Sequence, residues 1–384
     1  MNGRILIVGG GIAGLATAWW LARRGARDVV VVEAGDRLGA RATSQNAAIL
    51  RTPMPDPLGE ELGREGADFL REPPSGFADR ALLDPCGLLL VARRSSAGAR
   101  IWAERLAHRP NADVRELDLA ELRARAPHVD SADARAFLLP REGRIDVPAL
   151  VRAFEMGARA AGVRFLLATR VRELRDDGRG VRLDDGRVLE AERTVLAAGA
   201  WAGPLAASAG SRVDLRPTRR HLVVTRASRA VDPRWPVVWR DDDPFYARPE
   251  SGGLLLSGCD EEDVEPDRLA AQSSELERTR VLARRHLRLD DEFAFEPARF
   301  WAGIRTHAED QRFVVGPDPD VAGLLWAGAL GGHGITCAGP VGAIAADWIL
   351  DGASTHRFAR ELDPRRFAPR IPNERADEMR SIQL

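Results

Sequence analysis

With 384 residues, 45% hydrophobic and 29% charged, the chain has room for two lobes with separate cores and the composition of a soluble globular protein, not of a disordered or membrane one. Its formal net charge of −1 gives no electrostatic basis for nucleic acid or an acidic membrane surface as partner. All 56 basic residues are arginine, which excludes a Schiff-base lysine and a Walker-type phosphate lysine.

The apolar run Arg4 to Val8 predicts a buried strand, and "GGGIAG" follows it directly. Helix-forming composition then extends from Ile12 to Arg24 and stops at Gly25. Gly9, Gly11 and Gly14 thus fit G-x-G-x-x-G between a strand and a helix. The first makes the tight turn, the second admits a pyrophosphate to the backbone, and the third lets helix and strand pack closely. The helix N-terminus, with Ile12 and Ala13 in its first turn, offers free N–H groups and a positive dipole end to phosphates. The four glycines from Gly9 to Gly14 also argue against a signal peptide over this apolar opening.

A second strand, Asp28 to Ala34, closes on Glu33 and Ala34, with Glu33 nineteen residues beyond Gly14. A carboxylate there accepts hydrogen bonds from ribose hydroxyls and repels a 2′-phosphate, which disfavours NADP but does not separate NAD from FAD.

Polar residues then fill "RLGARATSQNAAI" (37–49). Further along, "ATRVREL" leads into a hairpin turning at Asp185-Gly186, followed by the strand-like "TVLAAGAW" (194–201). Residues 214–225, 243–249 and 253–259 predict antiparallel strands, and "ERTRVLARRHLRL" an amphipathic helix. Alternation along a strand sends Arg219 and Arg220 to opposite faces, so only one of them can face a shared pocket. "FWAGIRTHAED" carries Arg305 on another strand, and Tyr246 is the only tyrosine. Gly323 to Leu350 repeats the opening grammar of strand, glycine-rich turn and helix. The arginine-rich tail after Asp351 is expected on the surface. Cys86, Cys259 and Cys337 are widely spaced, without metal-ligand spacing, so a reduced cytoplasmic protein without a metal site is expected; no run approaches a membrane span.

Several blocks resemble the FAD-dependent D-amino acid oxidase superfamily: "RLGARATSQNAAI", "PPSGFADRALLDP" (73–85), "PTRRHL" (217–222), "FYARP" (245–249), "WAGIRT" (301–306) and "GGHGI" (331–335). Within it they are most similar to bacterial D-arginine dehydrogenases and to glycine and sarcosine oxidases, with "GHG" as in the sarcosine oxidases. The resemblance implies an α/β fold: a Rossmann-like FAD-binding domain (1–75, 145–210, 305–384) and an α+β substrate domain on a mostly antiparallel sheet (76–144, 211–304).

It also implies that Arg41, Ala42, Thr43, Ser44 and Asn46, with Ala47 and Ala48, line the path from phosphates to flavin, and that Val171 touches adenine. Ala198, Gly199 and Trp201 pass the cofactor, Gly303 and Arg305 approach the ring, and Gly331, Gly332, His333, Gly334, Ile335 and Thr336 embrace it. Backbone N–H groups of the last three residues would stabilise a reduced ring. Arg220 and Arg305 would clamp a substrate carboxylate, with Tyr246 donating to it and His333 beside the amine.

Departures from the D-arginine dehydrogenase pattern bear on the substrate. Leu88 stands where that group has an acid for a substrate guanidinium, and Ile49 and Met54 replace a histidine and a tyrosine, which disfavours a basic substrate. The lysine near Leu255 or Leu256 and the flavin-bonding cysteine near Gly303 of sarcosine oxidases are both absent. FAD is therefore expected to be non-covalent, with a quinone-like acceptor or molecular oxygen taking the electrons. The implied reaction is oxidation of the C–N bond of a small carboxylate-bearing amine. An FAD-bearing subunit of a larger amino acid or opine dehydrogenase, and a flavin-binding protein without amine oxidation, remain the alternatives. Oligomeric state is left open.

Overall fold

The computed structural model describes residues 3–54, 56–107, 114–288 and 295–367. Among them, six strands form a sheet in the order Val314–Pro317, Leu324–Gly328, Arg193–Leu196, Ile5–Val8, Val29–Val32, Arg164–Leu166. All neighbours are parallel except the antiparallel edge strand Val314–Pro317. The runs "ILIV" and "VVVV" lack polar alternation because both faces of this sheet are covered. Ile5, Ile7, Val29 and Val31 pack towards the helices Ile12–Arg23, Val147–Ala160 and Ala338–Asp351. Leu6, Val8, Val30 and Val32 pack the other way, with Leu174, Val181 and Leu183. Those three belong to a separate antiparallel sheet of Val171–Leu174, Gly180–Leu183 and Val188–Glu190, the predicted hairpin with Gly186 at φ 87°.

A nine-stranded sheet carries most of the remaining strands. Its centre runs Leu215–Thr225, Gly253–Ser257, Phe245–Glu250, Val237–Arg240, Leu88–Arg93, and the long strand Pro297–Ala308 lines the other side of Leu215–Thr225. Every pairing is antiparallel except Val237–Arg240 with Leu88–Arg93. The fold is thus mixed α/β, a parallel Rossmann-like sheet beside a largely antiparallel one. The helix expected within 277–289 spans Ser273–His286, one turn earlier at its start; its expected last residue, 289, lies outside the described segments.

The tail departs from its expected surface position. After Asp351 a short helix, Ala359–Leu362, and a 3₁₀ turn, Pro364–Arg366, pack against the edge strand Val314–Pro317. Leu362 is fully buried, and Arg366 pairs with Asp310 and donates to Phe313 O. A single leucine in a polar run has no periodicity to reveal it. The expectation for 368–384 lies outside the described residues.

His128 stacks on Trp235 with ring centroids 3.8 Å apart, and burial pushes its pKa down to about 3. Between pH 6.5 and about 3 the unfolded chain binds a proton there that the folded chain does not, so the contribution is intact above pH 6.5 and lost as pH falls. Unfolding free energy should drop by about 1.4 kcal/mol per pH unit from this one group. His128→Phe, which keeps an aromatic ring against Trp235, should flatten the slope of urea midpoint against pH between 6 and 4. An unchanged slope would remove His128 as its source.

Candidate active site

The two sheets face each other across a cavity of about 920 Å³. One wall is built from the connections at the carboxyl ends of the parallel strands, which is where open α/β sheets bind ligands. Val8 runs into Gly9, whose φ of 108° and close approach to Ala197 O leave no place for a side chain. Helix Ile12–Arg23 starts at the cavity with Gly11 as N-cap, and Thr43 Oγ1 accepts from Ile12 N at 3.0 Å. Glu33 accepts from Gly10 N and Gly35 N, each at 2.7 Å, so its carboxylate fixes both glycine turns and keeps lone pairs for a further donor.

All the expected cofactor residues line this cavity except Gly14 and Ser44. Gly14 stands behind the wall, where a Cβ would collide with Gly9 O, which is the close helix-to-strand packing expected of the third glycine. Ser44 is exposed, with its hydroxyl donated to Ala40 O at 2.9 Å and Arg41 O at 3.2 Å. Its loop turns the side chain away from the path assigned to it. Asn46 lines the cavity but uses its amide to shape the loop, donating to Thr43 O and accepting from Ala48 N.

The facing wall comes from the nine-stranded sheet. Arg220 lies opposite Gly303 in register and Thr218 opposite Arg305, so alternation puts Arg220 and Arg305 on one face as a diagonal cross-strand pair. Arg219 points away and pairs with Glu262 at 2.6 Å. Tyr246 lies opposite Trp239, with the rings stacked 4.8 Å apart at 18°. Arg220, Tyr246, Arg305 and His333 thus converge on one end of the cavity.

The two arginines are not equivalent. Arg220 Nε donates to Asp260 O, and Nη2 lies 3.4 Å from Glu261. Asp260 is itself tied to His221, through His221 N and Nδ1. Arg305 has no carboxylate within ion-pair distance among the described residues, and its guanidinium lies against the Gly332 backbone. Burial and the Arg220 charge lower its pKa. Burial, aided by Arg51, Arg305, His307 and Arg220, pushes His333 down to about 3, so its imidazole is neutral at pH 7. Burial raises Tyr246, with the cross-strand Ser257 hydroxyl acting weakly the other way, and the Tyr246 hydroxyl makes no well-formed hydrogen bond among the described residues.

Leu88 does not stand where the resemblance placed it. It is fully buried beside Leu90, Trp102, Leu106 and Phe137 and does not line the cavity, because its strand turns it into that packed face. Leu255 likewise packs with Leu222 and Tyr246 without lining the cavity. Ile49 and Met54 do line it. Sequence reasoning missed Arg51, Trp239, Asp241, Cys259, Glu261 and His307, which line the same end. His307 was findable, since it follows Arg305 by two along one strand and shares its face. Asp241 and Glu261 sit in acidic runs that look like solvated loops.

No helix among the described residues is long and apolar enough to cross a membrane. The chain is 29% identical to the glycine oxidase of Geobacillus kaustophilus over 373 residues, covering 90% of this chain and 92% of that one. It is 25% identical to FAD-dependent oxidoreductase domain-containing protein 1 of Bos taurus, covering 97% and 86%. Among solved structures, glycine oxidase from Geobacillus kaustophilus superposes with a TM-score of 0.77 at 26% identity, covering 96% of this chain and 99% of that one. L-proline dehydrogenase from P. horikoshii gives 0.79 at 20%, covering 95% and 98%, and so shares the fold. The model of the DAO family, described as FAD dependent oxidoreductase, matches residues 4–348, and the chain belongs to that family.

Proposed function

We propose that the protein oxidises the C–N bond of a small, non-basic amino acid or N-alkyl amino acid, a hydride passing to FAD and the resulting imine being hydrolysed by water to a keto acid and ammonia or the alkyl amine. The observation that carries this reading is Arg305, a guanidinium lining the cavity with no carboxylate within ion-pair distance among the described residues, next to the Tyr246 hydroxyl, which makes no well-formed hydrogen bond among them. Both suit one carboxylate, Arg305 through a planar fork and Tyr246 through a single O–H. Glycine oxidase activity in a relative that spans nearly the whole chain supports the same reaction class.

The residues present fit FAD. The glycine turn, the helix N-terminus beyond Gly11 and Glu33 suit a pyrophosphate and a ribose, and the Gly331–Thr336 turn suits the ring. When bound, FAD supplies the hydride acceptor. This chain's own residues bind, orient and set charge. Arg305 and Tyr246 fix the carboxylate, Arg220 is held in place by Asp260, and neutral His333 borders the amine without adding a positive charge. A cationic substrate side chain meets Arg51, Arg220 and Arg305, so basic amino acids are disfavoured. The cofactor lobe we assign to 1–75, 145–210 and 305–384, and the substrate lobe to 76–144 and 211–304. FAD is held non-covalently in this reading: Gly303 offers no thiol, and burial raises the Cys259 thiol pKa, which makes it a poor nucleophile.

The test is anaerobic bleaching of the yellow protein by a panel of D- and L-amino acids, N-methyl amino acids and imino acids. Reduction by a non-basic member, with flavin released by acid precipitation, is the expected result. No bleaching by any member would sink the amine-oxidation reading. Turnover of the isolated chain with an artificial dye distinguishes a self-sufficient enzyme from a subunit that needs partners.

A further inference from the structure

We propose that Arg51 binds a second acidic group on the substrate, so that the preferred substrates are amino or imino dicarboxylates. This rests on the reading that Arg305 and Tyr246 hold the first carboxylate. Arg51 is buried at 8% exposure and lines the same cavity as those two residues. Its acceptors are incomplete. Nη2 lies 3.3 and 3.4 Å from the two Asp241 oxygens, longer than the ~2.7–2.9 Å of a well-made charge-assisted bond. Asp241 gives its shorter bonds elsewhere, accepting from Trp102 Nε1 and Trp239 Nε1 at 2.7 Å each. Arg51 Nε is buried with no hydrogen-bond partner among the described residues. A buried donor left without an acceptor is costly, and a ligand carboxylate in the cavity supplies one.

The surroundings show where that ligand group lies. The Arg51 guanidinium stacks 4.3 Å over the Trp239 ring, and Trp239 stacks in turn on Tyr246 at 4.8 Å. Stacking occupies the face of the guanidinium and leaves its edge for in-plane hydrogen bonds. Trp239 therefore forms a flat shelf from the Tyr246 end of the cavity to Arg51. At this end Arg220 Nε is held by Asp260 O, whereas Arg51 Nε has no acceptor and Arg305 no ion-pair partner among the described residues. A molecule with one carboxylate satisfies one of them; a dicarboxylate satisfies both.

The experiment compares flavin reduction in the holoenzyme under anaerobic stopped flow by aspartate and asparagine, each in both enantiomers, with alanine and N-(carboxymethyl)glycine alongside. Aspartate and asparagine have nearly the same shape and differ in charge. The expected result is an aspartate-to-asparagine ratio of kred/Kd of about 50 or more for the reactive enantiomer. The ratio should fall to near 1 in Arg51→Met and stay above it in Arg51→Lys, which keeps the charge. A ratio near 1 in the unaltered enzyme overturns the proposal without any variant, and so does a ratio that persists in Arg51→Met. Arg305→Met separates the two readings. If it leaves alanine binding unchanged, the first-carboxylate assignment fails. If alanine binding weakens while the aspartate preference is absent, only the role of Arg51 fails. The flavin spectrum and the melting temperature of each variant report whether it is a folded holoenzyme.

Discussion

Arg305→Met is expected to raise the apparent Kd for the amino acid in flavin reduction by about 100- to 1000-fold while the protein stays yellow. The strand Pro297–Ala308 delivers this guanidinium to the cavity, and no carboxylate among the described residues lies within ion-pair distance of it, Glu261 acting only from farther off. A hydrogen bond to a charged group contributes about 1.5–3 kcal/mol, and a two-pronged contact somewhat more, which converts to that range of affinity. Methionine keeps the aliphatic stem and removes the guanidinium that lies against Gly332, so flavin retention is read alongside the affinity. Anaerobic titration followed at the flavin absorbance measures both quantities at once. A shift below 10-fold, with flavin retained, would mean that the carboxylate is held elsewhere, and Arg51 is then the leading alternative.

The second large effect concerns stability, and its sign depends on position within one helix. Pro57–Arg71 contains Gly59, Gly63 and Gly66. A Cβ on Gly66 would collide with the Thr336 backbone carbonyl, which leads into helix Ala338–Asp351 and cannot yield. Gly66→Ala should therefore cost about 3 kcal/mol and weaken FAD retention, since Thr336 lines the cavity. At Gly63 the Cβ would meet only the mobile end of Met54, at 2.8 Å from Cε. The helix-propensity gain and that crowding offset each other, and Gly63→Ala should change little. At Gly59 the nearest atom, Met54 Sδ, lies at an ordinary 3.4 Å, so Gly59→Ala should stabilise by about 0.5–1 kcal/mol. Urea denaturation of the three holoproteins gives the order. If Gly66→Ala is as stable as the parent, the two helices are not packed as tightly as described.

The parts of this protein that follow local rules could be read from its sequence. Continuous apolar runs marked the parallel strands because both faces are buried, and the Gly9–Gly14 pattern marked the turn because no other residue fits against Ala197 O and Gly9 O. Strand alternation separated Arg220 from Arg219. The readings that went astray depended on side-chain direction or on partners far along the chain. Leu88 was assigned a place in the pocket by correspondence, yet it shares a packed face with Leu90 of its own strand. Ser44 has its hydroxyl taken by its own loop. The Arg51–Asp241 pair joins residues 190 apart, and nothing near either one in sequence announces the other. Buried Leu362 shows the same limit at the tail, where one residue docks a segment that looks polar throughout.

The strand order of the parallel sheet has a consequence for biosynthesis. Ile5–Val8 pairs with Arg193–Leu196, and that strand pairs with Leu324–Gly328. Neighbours so distant in the chain pay their loop-closure entropy before any contact repays it, and they form late. While the ribosome is still at work, the first glycine turn waits without the strands that complete its sheet and without the Gly331–Thr336 turn beside it. A nascent chain that stops short of Leu324 lacks the Leu324–Gly328 strand and the cavity-lining turn Gly331–Thr336 that follows it. Cofactor capture thus awaits the strand Leu324–Gly328 and the turn after it, and the flavin's colour reports that synthesis has passed them as well as correct folding.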